Sequence, residues 1–156
     1  MARPSWDEYF MGIAKSASER STCLSDAKGA AITVENRIVA IGYSGAPSGV
    51  SSCLDKGTCL KRWLGFGHGE GHHMCLAVHA EANAIVSAAR IGVKIEGGII
   101  YCTHKPCEGC AKLIINSGLK RVIYIHEYSS KLADQMLSEA KVVVTRLHYG
   151  GVDPQA

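Results

Sequence analysis

The fold is decided by residues 98–125, which read GIIYCTHKPCEGCAKLIINSGLKRVIYI. The apolar run from Gly98 to Thr103 predicts a buried strand. Cys107 to Ser117 predicts a helix that ends at Gly118, a residue suited to the left-handed conformation that closes many helices. Arg121 to Ile125 predicts the next strand. A strand, a helix and a strand in this order are typical of neighbouring strands in a sheet that the helix covers.

The same alternation extends to both sides of this stretch. Ser5 and Glu8 have the spacing of a capping box, which predicts a first helix to about Glu19. The remaining patterns predict a hairpin, two further helices and a last strand, at residues 29–33, 37–43, 78–91, 131–140 and 142–147. We therefore expect an α/β fold of three layers, α/β/α, in which about five strands form a mixed sheet with helices on both faces.

The chain of 156 residues fits one domain, residues 1–150, followed by a loose C-terminal tail at 151–156. Residues 44–77 interrupt the regular pattern with seven glycines, three cysteines and three histidines. This connection of 34 residues is far longer than the usual roughly 4–6 residues, so it needs its own reason to be ordered.

Composition excludes several classes of protein. A hydrophobic content of 47% excludes intrinsic disorder. No window approaches the roughly 18 consecutive apolar residues of a membrane span, and the first residues lack the apolar core of a signal peptide, so we expect a cytoplasmic protein without a membrane partner. The net charge of +3 is thinly spread, which argues against extended binding to nucleic acid and leaves room for a small anionic ligand.

Seven cysteines and seven histidines are unusual in a chain of this size. An odd number of cysteines argues against a closed disulfide framework, and an intracellular chain keeps its thiols reduced, so metal ligation is the better interpretation. The cysteines are Cys23, Cys53, Cys59, Cys75, Cys102, Cys107 and Cys110.

Three of these side chains predict a catalytic zinc site. His79 opens one predicted helix, and Cys107 and Cys110 open another, where the helix dipole favours thiolates. Three protein ligands are typical of a zinc whose fourth position holds water, and bound zinc lowers the pKa of that water from 15.7 to about 7. Glu81 is the candidate general acid and base. Because side chains two apart in a helix diverge by about 200°, it shares a pocket with His79 only if His79 stands at the helix boundary.

Each motif alone has an ordinary explanation. The C-x-x-C of Cys107 and Cys110 also fits a structural zinc knuckle, a redox pair or reduced core thiols, and an isolated H-x-E triplet occurs in many helices by chance. The two motifs together, each at a predicted helix start and separated by a predicted strand, favour the catalytic interpretation.

The chain resembles the deoxycytidylate deaminases of the zinc-dependent cytidine and deoxycytidylate deaminase superfamily. The resemblance implies a cytidine-deaminase-like fold and the hydrolysis of dCMP to dUMP and ammonia, with dUMP feeding thymidylate synthesis. It also implies activation by dCTP, inhibition by dTTP and a homo-oligomer, commonly a hexamer. The segments that carry it are Arg3-Pro-Ser-Trp-Asp-Glu-Tyr-Phe10, Gly42-Tyr-Ser-Gly-Ala-Pro47, His79-Ala-Glu-Ala-Asn-Ala-Ile85, Thr103-His-Lys-Pro-Cys-Glu-Gly-Cys-Ala-Lys112 and Ile114-Ile-Asn-Ser-Gly118.

Members of this branch often carry a second, structural zinc, which would explain how the long loop is ordered. The matching residues here are Cys23, Cys53, His72 and Cys75, with Cys59 and His73 as substitutes. The alternative is that these are unliganded loop residues. Cys102, inside a predicted strand, is better explained as a small core residue.

The resemblance also implies binding residues. The base pocket is expected to include Ala80 and the turn that begins at Thr103, and Arg90 matches an arginine that the family associates with the nucleotide phosphate or with coupling between subunits. Asn36 and Ser44 complete the expected substrate contacts, and the expected effector contacts are Gly42, Tyr43, Gly45 and Pro47.

Two departures from the family pattern concern phosphate recognition. Ser44 stands where Asn is usual, and Ser25-Asp26 stands where relatives tend to be basic. The rival interpretations are a deaminase of dCTP, of a cytosine nucleoside or of a tRNA adenosine, and a zinc-stabilised interaction module without turnover. Glu81 speaks against the last, because binding zinc does not require that carboxylate.

Overall fold

The computed structural model describes residues 3–67 and 69–148. Helices and strands follow one another in the predicted order, with three short helical pieces added in the long loop. The elements are α1 (Trp6–Ser18), β1 (Gly29–Val34), β2 (Arg37–Tyr43), α2 (Cys53–Lys56), α3 (Leu60–Trp63), a 3₁₀ turn (His72–Met74), α4 (Ala80–Ile91), β3 (Ile99–His104), α5 (Glu108–Asn116), β4 (Arg121–His126), α6 (Lys131–Glu139) and β5 (Val143–Arg146).

Five strands form one mixed sheet in the order β2-β1-β3-β4-β5. Strand β1 is antiparallel to both of its neighbours, β2 and β3, whereas β3, β4 and β5 are parallel. The expected mixed sheet of about five strands is confirmed. The carboxyl ends of β3 and β4 therefore lie side by side, and the turn after each strand reaches the same edge of the sheet.

Alternation along the strands divides the core between the two faces of the sheet. Ile32, Ile100 and Val122 face α4, α5 and α6, and they form the larger cluster with Ala84, Ala88 and Ile114 from those helices. Tyr101 and Ile123 point the other way and pack against Phe10 and Met11 of α1. Helices thus cover both faces, and the three-layer arrangement is confirmed.

Two predicted helix starts shift by one or two residues, and both shifts matter for the site. Helix α4 begins at Ala80 and α5 at Glu108, so that His79 and Cys107 are the N-cap residues of their helices. The capping box of Ser5 and Glu8 is present at the start of α1 as predicted. None of the helices in the described part of the chain is long and apolar enough to cross a membrane.

The long loop contains more regular structure than its composition suggests. Helix α2 is a single turn with a capping box of Ser52 and Asp55, and Gly57 ends it in the left-handed conformation. Sequence periodicity could not find α2 and α3, because four residues are too few to show a helical repeat. The tail expected at 151–156 lies outside the described residues.

Candidate catalytic metal centre

Two helix N-termini meet at the centre of the molecule and bring His79, Cys107 and Cys110 together. His79 Nδ1 lies 3.4 Å from Cys107 Sγ and 3.5 Å from Cys110 Sγ. Tetrahedral zinc with bonds of about 2.3 Å to sulfur and 2.0–2.1 Å to nitrogen would place the same atoms about 3.6 Å apart. Within residues 3–67 and 69–148, these three form the only set of His, Cys, Asp or Glu ligand atoms that all lie within 4.8 Å of one another.

The N-cap positions explain why these side chains face the metal centre. An N-cap side chain normally accepts a hydrogen bond from its own helix, but His79 and Cys107 make no such bond. Both residues have extended backbone conformations, with ψ of 153° and 173°. Their side chains therefore leave the helical path and turn toward each other, and Cys110 joins them from the first turn of α5.

Close packing of α4 on β2 determines the distance between the start of α4, where His79 lies, and the sheet. A side chain on Gly42 would overlap the backbone of Ala80 and Ala84, so this position accepts only glycine at the observed spacing. Asn83 Nδ2 donates to the Tyr43 carbonyl at 2.7 Å, and the Asn83 amide donates to the His79 carbonyl at 2.9 Å. The first bond joins the first turn of the helix to the strand, and the second is the helix's own bond to its N-cap residue.

The two cysteines share a proton in the arrangement described. A hydrogen bond from Cys110 is the main reason that the pKa of Cys107 falls to about 3, although burial opposes the change. The pKa of Cys110 is raised, first because it donates that bond and then because it is buried. Cys107 is therefore the more readily deprotonated of the two thiols, and a dication that binds both sulfurs displaces the remaining proton.

Glu81 lies next to the metal centre in a dry environment. Its side chain is 5% exposed, and burial raises its pKa, while its own backbone N–H and the nearby His79 act in the opposite direction. His79 stands at the helix boundary, which is the position that a pocket shared with Glu81 requires. A buried carboxyl with a raised pKa holds a proton more tightly than an exposed one, which suits a group that acts as both acid and base.

A cavity that His79 helps to line lies beside this centre. His72 and Tyr128 lie over it: His72 Nε2 is 3.1 Å from the Tyr128 hydroxyl, and the His72 ring contacts the His79 ring at 5.3 Å between centroids. Burial lowers the pKa of His72.

Sequence analysis did not single out Tyr128 or Lys28, which also lines the cavity. Tyr128 follows the end of a predicted parallel strand, and that position is the signal that could have found it.

The four cysteines outside the catalytic centre and the core strand form what we call the loop cysteine cluster. Cys23, Cys53, Cys59 and Cys75 line one side of the same cavity, and burial, helped by the charges of the other three thiols, raises the pKa of Cys53. His72, the expected histidine ligand, lines the same cavity and contacts Tyr128 and His79. His73 is exposed and contacts Phe66. Cys59, the expected alternative to Cys53, also lines the cavity, and Cys102 lies in the core.

Two expected substrate residues are far from the metal centre. Asn36 is exposed in the β1–β2 turn, and the seven residues of β2 place it about 23 Å from the Tyr43 end of that strand. Arg90 is exposed in the last turn of α4, about 16 Å along the helix from His79. Neither side chain can contact a substrate held at the centre of its own chain.

The other expected binding residues lie close to the cavity. Ala80 is buried directly after His79, and the hydroxyl of buried Thr103 accepts a hydrogen bond from the Gly29 amide at 3.1 Å. Ser44 is buried in the wall of the cavity. Gly45 pairs with Val78 through two backbone hydrogen bonds of 2.8 and 3.2 Å, which tie the expected effector segment to the residue before His79. In that segment Gly42 is buried, Tyr43 is half-buried and Pro47 is exposed.

A preformed site of one histidine and two cysteines beside a buried glutamate, on a mixed sheet between helix layers, defines a zinc-dependent deaminase site. The family model for the cytidine and deoxycytidylate deaminase zinc-binding region matches residues 4–126. The chain therefore belongs to this family.

Individual relatives cover most of the chain. It is 42% identical over 132 residues to deoxycytidylate deaminase of Mycobacterium phage D29. The alignment covers 81% of this chain and 99% of that protein. It is 36% identical to ComE operon protein 2 of Bacillus subtilis, over 94% of this chain and 74% of that protein. The crystal structure of dCMP deaminase from the cyanophage S-TIM5 in complex with dCMP and dUMP superimposes with a TM-score of 0.75 at 29% identity, covering 94% of this chain and 100% of that one.

Proposed function

We propose that the chain hydrolyses dCMP to dUMP and ammonia, and so supplies dUMP for thymidylate synthesis in the cytoplasm. The observation that carries the proposal is the buried carboxyl of Glu81 beside three ligand atoms at coordination distance. The choice of dCMP is supported by relatives named deoxycytidylate deaminase that align over most of the chain, and by the similar structure that holds dCMP and dUMP.

The residues present fit a catalytic zinc, which His79, Cys107 and Cys110 would hold. When bound, zinc supplies Lewis-acid activation of a water molecule for attack on C4 of cytosine. Glu81 accepts a proton from the attacking water and delivers it to N3 of the ring. The same carboxyl then takes the remaining proton from the C4 hydroxyl and delivers it to the amino group, so that the C4–N bond breaks as ammonia leaves and the C4 oxygen remains as the uracil carbonyl.

Groups around the centre orient the base. The Ala80 amide lies at the N-terminus of α4, where backbone N–H groups point toward the cavity, and it would donate to the pyrimidine carbonyl. His72 and Tyr128 lie over the opening and exclude water once the base has entered. Ser44 and Thr103 support the cavity wall through buried hydrogen bonds.

An ammonia-release assay with dCMP, dCTP, deoxycytidine and CMP tests the activity. We expect dCMP to have the highest kcat/KM of the four. A clear preference for deoxycytidine or for dCTP would contradict the assignment of dCMP, while leaving deamination itself intact. Absence of ammonia from all four substrates in a zinc-loaded enzyme would favour the interaction module instead.

We also propose that the loop cysteine cluster binds a second, structural zinc. Four thiols on one side of a cavity provide the Cys₄ donor set typical of structural zinc. A metal cross-link between Cys23 and the loop would offset the ordering entropy of that segment. The four sulfurs must approach one another to coordinate, because the cluster does not meet the spacing found at the catalytic centre within the described residues. Metal analysis should find two zinc ions per chain. A content of one ion per chain would show that the loop cysteine cluster binds no zinc.

From the same relationship we infer a homo-hexamer that dCTP activates and dTTP inhibits. The backbone pairing of Gly45 with Val78 gives a nucleotide bound near the Gly42–Pro47 segment a direct connection to His79. In a hexamer, the exposed Arg90 of one chain could contact a neighbouring copy of the chain. Light scattering with and without dCTP and dTTP, combined with the ammonia assay, tests both inferences.

A further inference from the structure

Lys28 is held at the edge of the catalytic cavity by its backbone. Its amide donates to Ser44 Oγ at 3.0 Å, and its carbonyl accepts from the Ser44 amide at 2.9 Å. The Ser44 hydroxyl in turn donates to the Asp26 carbonyl at 3.1 Å. The segment just before β1 is therefore fixed in place, although it belongs to no helix or strand.

The side chain of Lys28 points into the cavity from this fixed backbone. Its ammonium group lies 5.7 Å from the centre of the Tyr128 ring and 3.2 Å from the Asp26 carboxylate. The side chain is 25% exposed, so the charge is shielded from bulk water but reachable by a ligand. Its charge acts on both His79 and Glu81, which places it within electrostatic range of the reacting centre.

The cavity offers few other charges that could recognise an anion. Among the described residues that line it, Lys28 and Lys61 are the lysines and Asp26 is the acid; there is no arginine. Lys61 lies on α3 in the loop, and its charge acts on His72 at the cavity opening. An ammonium group has three donor hydrogens, and Asp26 uses one of those of Lys28, which leaves donors for a ligand.

We infer that Lys28 recognises the 5′-phosphate of the substrate and sets the preference for a nucleotide over a nucleoside. This inference rests on the proposed deamination of dCMP. The amino group to be removed lies at one end of the nucleotide and the phosphate at the other, so a base seated at the metal centre directs its phosphate toward the cavity edge. Lys28 lies beside Tyr128 in the cavity lining, where its ammonium group also pairs with Asp26.

The test compares two substrates that differ only in the phosphate. Steady-state kinetics on zinc-loaded wild-type and Lys28→Met enzymes give kcat/KM for dCMP and for deoxycytidine. A charge-assisted hydrogen bond is worth about 1.5–3 kcal/mol, so we expect the ratio of the two values to fall about 10- to 100-fold in Lys28→Met, mainly through KM for dCMP. Lys28→Arg, which keeps the charge, should restore most of the ratio.

Two control variants locate the effect. Lys94→Met removes an exposed lysine that pairs with Glu96 at 3.0 Å and should leave the ratio unchanged. Lys61→Met removes the other lysine of the cavity, and a fall in its ratio as large as that of Lys28→Met would overturn the assignment. An equal loss on both substrates in Lys28→Met would also overturn it, because that result indicates a structural role.

Binding measurements separate this inference from the proposed function. In a Glu81→Gln background, calorimetry with dCMP and deoxycytidine reports phosphate recognition without turnover. If adding Lys28→Met abolishes the tighter binding of dCMP relative to deoxycytidine, the inference is supported. This holds even if another cytosine nucleotide proves to be the better substrate. An undiminished advantage refutes it, whatever the ammonia assay shows.

Discussion

The catalytic centre and the loop cysteine cluster use the same kinds of ligand but are built differently. His79 and Cys107 each cap a helix of nine or more residues that packs on the sheet, and their ligand atoms already lie at coordination distance. The cluster takes Cys53 and Cys59 from the region of two four-residue helices, and Cys23 and Cys75 from irregular segments. Regular helices on the sheet therefore position the ligands of the first site at coordination distance, whereas the four thiols of the cluster lie in short or irregular segments.

The largest expected effect separates chemistry from metal binding within the first region. We predict that Glu81→Gln lowers kcat for dCMP by about 10⁴-fold, because the carboxyl acts both as base and as acid, whereas zinc content stays the same. Ammonia release and metal analysis on the same preparation measure both quantities. Glu19→Gln, on the exposed end of α1, is the matched control and should be fully active. Unchanged turnover in Glu81→Gln would show that Glu81 is not the general acid and base.

The second prediction compares two buried cysteines. Cys59→Ala should lower the zinc content from two ions to one and destabilise the protein by about 4 kcal/mol, since loss of a metal is among the largest effects of a single substitution. Cys102→Ala removes a thiol of similar burial from the core and should keep both ions. Metal analysis and thermal unfolding of the two variants provide the measurement. Equal zinc contents in the two variants would show that the cluster is not a metal site.

This contrast also explains how much could be predicted from the sequence. The catalytic centre was predictable because its ligands sit at helix starts, where local sequence signals are strong: a strand, a proline and two cysteines at helical spacing. The same local reasoning showed that His79 must stand at the helix boundary, and it does. The three layers followed from the alternation of strands and helices.

Long-range placement was not predictable in the same way. His72 and Tyr128 are 56 residues apart and meet only because the loop folds back over the end of β4. Lys28 reaches the cavity because Ser44 fixes the chain before β1, which no local pattern indicates. Asn36 and Arg90 were expected near the substrate by resemblance, but the lengths of β2 and α4 carry them to the far ends of those elements.

A third prediction makes the same substitution in both regions. Gly42→Ala inserts a methyl group against the backbone of Ala80 and should cost about 3 kcal/mol and weaken zinc binding at His79, because α4 must move away from β2. In Gly57→Ala the added methyl group has no atom within 4 Å. The only cost is that of the left-handed conformation at φ 65°, about 1 kcal/mol. Denaturant unfolding with metal analysis measures both. A larger loss of stability in Gly57→Ala than in Gly42→Ala would reverse the proposed order of rigidity.

The smallest expected effect uses two capping boxes, each with a serine at the N-cap and an acidic residue at N3. Ser5 begins α1, which packs on the sheet, and Ser52 begins α2, which carries Cys53. Replacing an N-cap serine by alanine costs about 1 kcal/mol, so Ser5→Ala should lower global stability by that amount and leave metal release unchanged. Ser52→Ala should instead speed the loss of one zinc ion to a chelator, because it loosens the segment that carries Cys53, while the catalytic ion stays in place. If both variants release zinc at the wild-type rate, the loop is ordered by its own packing, and the difference between the two regions is smaller than their geometry indicates.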